Sequence, residues 1–126
     1  MKITRVLHVS INVEGRLGAS SEFFARALQA APTERPLIPG IDGAWFAVGD
    51  VQLHLVDAPS RGAGAVDPTG PHVCFGVEDL DGAVAELEAR GVPYERANQG
   101  ETVQIWFTDP SGFTIEIQQD VGALSG

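Results

Sequence analysis

The chain repeats itself, and the repeat constrains its fold more than any other feature. His8-Val9-Ser10-Ile11-Asn12-Val13-Glu14 and His72-Val73-Cys74-Phe75-Gly76-Val77-Glu78 share one pattern and begin sixty-four residues apart. Trp45-Phe46 precedes His54-Leu55 by nearly the distance at which Trp106-Phe107 precedes Glu116-Ile117. A chain built this way is expected to fold as two copies of one unit. Each copy holds only about sixty of the 126 residues, too few to bury a large core alone, so the copies are expected to pack as a single domain.

The local patterns give the unit its elements. Residues 4–13 alternate, which predicts a strand with Leu7, Val9 and Ile11 packed under a helix and His8, Ser10 and Asn12 on the other face. A turn at 15–18 and a cap at Ser20 or Ser21 predict a helix to about Ala30, with Phe23, Ala27, Leu28 and Ala31 on its packed side. A loop rich in Pro and Gly follows, with room for one short strand. Residues 44–48 and 51–57 read as a hairpin about Gly49-Asp50. The second copy reads as a strand over 71–77 and a helix from Asp79 or Leu80 to Arg90, capped by Asp79 and ended by Gly91. Strands follow at about 93–97, 102–108 and 113–119, the last two joined by Asp109-Pro110-Ser111-Gly112. The fold class expected is α+β: two tandem βαβββ modules, 1–58 and 71–126, joined by a linker at 59–70.

The alternation also sets direction. It turns His8, His54, His72 and Glu116 away from the helices, onto the concave faces of two sheets expected to face each other. Three imidazoles and one carboxylate suit one divalent ion of Ni, Zn, Fe, Co or Mn better than Ca²⁺ or Mg²⁺, which take oxygen donors. Ser10, Asn12, Gln52, Thr114 and Gln118 share that face and are expected to orient a small-molecule substrate. Cys74 shares it too and reads as a small buried thiol, while the repeat-equivalent Trp45 and Trp106 read as structural.

Charge and composition exclude several partners. A net charge of −9, with one lysine and seven scattered arginines, argues against nucleic acid. No apolar run approaches the roughly 20 residues that span a bilayer, so no membrane partner is expected. The apolar stretch after Lys2 and Arg5 is broken by His8, Ser10, Asn12 and Glu14, which makes a poor signal peptide. The single cysteine fits a reducing cytoplasm.

Leu7-His8-Val9, Val51-Gln52-Leu53-His54-Leu55, Gly70-Pro71-His72-Val73 and Asp109-Pro110-Ser111-Gly112-Phe113-Thr114-Ile115-Glu116-Ile117 together resemble the vicinal oxygen chelate superfamily. That family includes glyoxalase I, bleomycin- and fosfomycin-resistance proteins, methylmalonyl-CoA epimerase and extradiol dioxygenases. The resemblance covers nearly the whole chain. It implies a cupped, barrel-like sheet around a divalent metal, with His8, His54, His72 and Glu116 in the four ligand slots. It implies a metal-dependent lyase or isomerase whose substrate chelates the ion through two neighbouring oxygens, by way of an enediolate-like intermediate, with Glu116 as general base. Bacterial glyoxalase I usually carries glutamate in the slot held here by His54. No cationic patch for glutathione carboxylates is evident in the cup either, so a glyoxalase-type activity is expected rather than glyoxalase I itself.

Two alternatives accompany that reading. One is an Fe²⁺ ring-cleaving dioxygenase of the extradiol type, using two histidines and a carboxylate, with His54 or Tyr94 as the spare acid or base. The other is drug binding without catalysis, as in bleomycin resistance; the acidic charge fits it and the intact ligand set does not. A homodimer is expected because an open cup leaves sheet edges to cover. Whether the site forms within one chain or across two stays open at this point.

Overall fold

A computed structural model describes residues 1–60 and 64–122. Residues 61–63 of the linker and 123–126 of the second module lie outside the described residues. The first module runs β1 (Ile3–Asn12), α1 (Leu17–Glu22), a π-helical turn over Phe23–Ala27, β2 (Ala31–Thr33), β3 (Asp42–Val48) and β4 (Val51–Asp57). The second runs β5 (His72–Val77), α2 (Leu80–Ala89), β6 (Glu95–Gln99), β7 (Thr102–Thr108) and β8 (Thr114–Gln119). Both halves are therefore βαβββ units, and the short strand expected in the first Pro- and Gly-rich loop is β2.

The eight strands form one mixed sheet in the order β2-β3-β4-β1-β5-β8-β7-β6. This is the single cupped, mixed sheet that the family resemblance implies, and the two facing sheets expected from the alternation are its two halves. β1 pairs in parallel with β4, β5 in parallel with β8, and the two modules join edge to edge through antiparallel β1 and β5. Val9 opposite Val73 is the centre of that seam, with His8 opposite Cys74 and Ser10 opposite His72 to either side. A local two-fold through Val9 and Val73 thus exchanges the modules. Trp45 of β3 and Trp106 of β7, from opposite ends of the sheet, line one cleft, so the sheet curls into an open cup.

The helices lie on the outer face, each over its own module. Val13, Phe46, Leu53 and Leu55 form one core with Leu17 and Phe24, whereas Leu80, Ala83 and Leu87 of α2 pack on Val77, Ile105 and Ile117. Neither helix reaches the seam. Val9 and Ile11, expected beneath a helix, are 37% and 40% exposed. Leu7 leaves the expected face altogether: a bulge between Val6 and His8 breaks the two-residue period, and Leu7 lines a cavity together with His8.

The two helices differ in how well the sequence announces them. α2 starts at the Asp79 cap, whose carboxylate accepts from the Gly82 amide at 3.1 Å, and Gly91 at φ +70° ends it. α1 has no side-chain cap, begins three residues before Ser20, and gives way to the π turn. The wider turn shifts the packed face, so Phe24 enters the core while Phe23 and Leu28 stay exposed and Ala31 belongs to β2. The sheet edges from which dimerisation was expected are blunted, β2 by its length of three residues and Pro32, β6 by Glu95 and Arg96. No helix among the described residues is long and apolar enough to cross a membrane.

Candidate metal centre

Strand register builds the site as two rungs across the floor of the cup. Glu116 of β8, Cys74 of β5 and His8 of β1 lie side by side in one rung. His54 of β4, Ser10 of β1 and His72 of β5 form the next. Each rung has a small residue in the middle and larger polar side chains on both flanks. The small centre leaves room for the flanking groups to meet above it.

Three of the four expected ligands do meet. His8 Nε2 stands 3.0 Å from Glu116 Oε1, His72 Nε2 stands 3.2 Å from the same oxygen, and the two imidazole nitrogens are 3.3 Å apart. All three residues are buried. Donors held at about 2.1 Å from one ion and roughly 90–110° apart stand about 3.0–3.4 Å from each other, so these three atoms have the spacing of a ligand face.

The hydrogen bonds favour the same fit. His72 Nδ1 donates to the Gly70 carbonyl at 2.9 Å. A carbonyl can only accept, so in the neutral ring the proton sits on Nδ1 and Nε2 presents a lone pair. That lone pair faces Glu116 Oε1, which is buried and has no hydrogen-bond partner among the described residues. Lone pairs converging in a buried place repel one another unless a proton or a cation stands between them. The other carboxylate oxygen, Oε2, accepts from Gln118 Nε2 at 2.7 Å. Burial raises the pKa of Glu116, but where a proton stands between it and His72 or His8, hydrogen bonds from those rings and from Gln118 outweigh burial and hold the group at about 2. The carboxylate is thus an anion at neutral pH, as a ligand must be.

His54 stands beside the trio rather than in it. Its ring stacks on His8 with centroids 4.0 Å apart and on Trp45 at 3.9 Å, and its Nε2 lies 2.9 Å from Gln52 Oε1. Burial, followed by the charge of His8, lowers its pKa to about 2, so the ring is neutral. Cys74 lies within 4.8 Å of His8 and Glu116 and is fully buried, which pushes its thiol pKa up and keeps it protonated. Tyr94 packs in the α2 cluster and hydrogen-bonds Glu88, on the outer side of the sheet.

The five expected substrate contacts disperse. Ser10 lines a cleft of about 440 Å³ over His8, His54, His72 and Glu116, and its hydroxyl lies 3.2 Å from His72 Nε2. Gln52 and Gln118 line a second cavity of about 370 Å³ that also touches His8 and His54. Asn12 donates to the carbonyls of Ala58 and Thr69 at 2.9 and 2.7 Å, and Thr114 Oγ1 accepts from the Asp67 amide at 3.0 Å. These two tie the linker to the cup and line neither cavity.

Sequence reasoning missed several lining residues. Trp45 and Trp106 line the main cleft, each directly opposite its ligand position: Trp45 pairs with His54 and Trp106 with Glu116. The hairpin turns already implied that register. Arg35 lines the cleft too, so the cup does contain a cation. It sits in a loop without periodicity, where no sequence signal marks it.

Comparison with known proteins identifies the family and the fold. The profile of the glyoxalase/bleomycin resistance protein/dioxygenase superfamily matches residues 5–117. "Glyoxylase I 4" of Arabidopsis thaliana is 30% identical over 125 residues, spanning 93% of this chain and 71% of the relative. The fold is shared with methylmalonyl-CoA epimerase from Mycobacterium tuberculosis, at a TM-score of 0.73, 23% identity, and coverage of 98% of this chain and 92% of that one. It is shared also with homoprotocatechuate 2,3-dioxygenase from Arthrobacter globiformis, at a TM-score of 0.70, 23% identity, and coverage of 94% of this chain and 36% of that one. The chain belongs to the glyoxalase/bleomycin resistance protein/dioxygenase superfamily.

Proposed function

We propose that the protein is a metal-dependent lyase or isomerase of the glyoxalase type, acting on a small substrate with two neighbouring oxygens. The observation that carries this reading is the meeting of His8 Nε2, His72 Nε2 and Glu116 Oε1 within 3.0–3.3 Å, with Oε1 buried and lacking a hydrogen-bond donor among the described residues. His8, His72 and Glu116 would hold a divalent ion of Zn, Ni, Fe, Co or Mn, with His54 entering as a fourth ligand when its ring turns from Gln52. Bound there, the ion would supply Lewis acidity toward a substrate carbonyl, which lowers the pKa of the adjacent C–H bond.

The chain's own residues do the rest. Gly70 fixes the His72 tautomer, and Gln118 anchors Glu116 through Oε2, leaving Oε1 as the proton acceptor. Glu116 is a weak base while His8 and His72 flank it. Turning away from them removes the neighbours that hold its pKa down, so the ligand and acceptor roles alternate. His54, neutral and stacked between His8 and Trp45, walls the trio on the side of the first module.

A second reading rests on one specific feature. The three residues in mutual contact are two histidines and one carboxylate, the donor set of non-haem Fe²⁺ oxygenases, and His54 stands beside them outside the trio. Two assays on metal-loaded protein separate the readings. Exchange of the C–H proton of dihydroxyacetone for deuterium, abolished in Glu116→Gln, is the result expected of an isomerase. Uptake of O₂ with catechol on the Fe²⁺-loaded protein, without such exchange, would favour the oxygenase. Inactivity in both would overturn the enzymatic reading.

A further inference from the structure

The two walls of the cleft differ although the floor is nearly two-fold symmetric. In the second module, β6 passes to β7 through two residues, 100–101, and the wall is made of the amides Asn98, Gln99 and Gln104. In the first module, β2 and β3 are separated by eight residues, 34–41, and the wall is made of Arg35, Leu37, Ile38 and Ile41. Leu37 is 89% exposed, and it borders the cleft with two isoleucines rather than standing singly on a polar surface.

Arg35 is held in this wall by specific contacts. One Nη2 hydrogen bond, 2.9 Å long, goes to the Ile41 carbonyl at the far end of the loop. The guanidinium lies over Gly43 of β3, where an added Cβ would come within 2.9 Å of Arg35 Nε, so the glycine leaves the space the side chain occupies. Arg35 is the single Lys or Arg among the residues lining the cleft, and no carboxylate among the described residues lies within 4.0 Å of it. In a chain of net charge −9, such a cation in a cleft is a recognition element rather than a structural ion pair. A guanidinium has five N–H donors and this one spends at least one on Ile41, which leaves the fork that matches a carboxylate. Nothing else that lines the cleft adds a second cation, so the match is to a monoanion rather than to a phosphate dianion.

We propose that Arg35 is the anion-binding end of the substrate site. The substrate class would be an oxygenated carboxylate: two neighbouring oxygens at the His8, His72 and Glu116 end, an aliphatic segment along Leu37, Ile38 and Ile41, and a carboxylate at Arg35. This rests on the metal-dependent reading above, and the test separates the two. The probes are alkyl hydroxamates of increasing chain length ending in a carboxylate, their methyl esters, and carboxylates of the same lengths ending in a plain amide. Binding to Zn²⁺-loaded protein is measured by calorimetry for wild type, Arg35→Gln and Arg35→Lys.

At one chain length the carboxylate is expected to improve hydroxamate affinity roughly tenfold to a hundredfold over the ester. Arg35→Gln should erase the difference in affinity between acid and ester, and Arg35→Lys should keep part of it. Equal affinity of acid and ester at every length, or a gain that survives Arg35→Gln, would overturn the proposal while leaving the metal reading intact. Arg35-dependent binding of the amide-terminated acids, with no binding of the hydroxamate esters, would instead remove the metal reading and leave the anion site standing.

Discussion

α2 runs ten residues from a side-chain cap and buries Leu80, Ala83 and Leu87, whereas α1 runs six residues, lacks a cap, buries none of its own residues and dissolves into a π turn. The same contrast runs through the cup. The second module joins β6 to β7 by a two-residue turn and contributes the carboxylate Glu116; the first inserts the loop 34–41 and contributes His54 at the equivalent position. The second module thus keeps the regular unit and carries the carboxylate of the cleft floor. The first has traded regularity for the wall that distinguishes one end of the cleft from the other.

Core truncation should show the contrast most strongly. Leu87→Ala in α2 is expected to cost about 2–5 kcal/mol, because Leu87 is buried in the second cluster. Phe23→Ala in the π turn, at an exposed side chain, is expected to stay within about 0.5 kcal/mol. Urea unfolding of both variants checks the pair, and equal losses would break the distinction between the helices.

Acidification should follow in size. The folded-state pKa of His54 is depressed from 6.5 to about 2, so the unfolded chain takes up the proton first as pH falls. The stability tied to this group is complete above pH 6.5 and declines as pH drops below it, at about 1.4 kcal/mol per pH unit in the metal-free protein. Glu116, held at about 2 against an ordinary 4.5, adds a loss of the same sign only below about pH 4.5. Between pH 6.5 and 5 the slope should therefore belong to the first module, and His54→Asn should flatten it in urea titrations. An unchanged slope would place the titrating group elsewhere.

Capping gives the smallest effect. Asp79→Ala is expected to cost about 1 kcal/mol, while Ser20→Ala and Ser21→Ala cost almost nothing, since α1 has no side-chain cap to lose. Thermal melts of the three variants check it.

The same contrast explains what was legible in the sequence. Strands β4 and β7 have the predicted bounds, and α2 carries both its end signals, because period-two alternation, an Asp cap and a Gly stop are local properties of the chain. The common direction of His8, His72 and Glu116 followed from that alternation together with the repeat, whereas the β1–β5 register that brings them together is a non-local property. The failures lie where a non-local or irregular feature intervened. A bulge turned Leu7 toward the cup, and a π turn exchanged Phe23 for Phe24. The seam between β1 and β5 placed Val9 and Ile11 beyond the reach of either helix. Asn12 and Thr114 sit where alternation put them, yet the linker passes close enough to take their hydrogen bonds. Arg35 had no local signal, because its position depends on Ile41 and Gly43 closing around it.

The central claim is that His8, His72 and Glu116 form one metal centre within a single chain, with His54 beside it. Calorimetric titration of the metal-free protein with Zn²⁺, repeated for His72→Ala, Glu116→Ala and His54→Ala, tests it directly. One ion per chain is expected, with affinity falling more than about a hundredfold in His72→Ala and Glu116→Ala and less in His54→Ala. No binding by the folded wild type, or binding that survives both His72→Ala and Glu116→Ala, would contradict it.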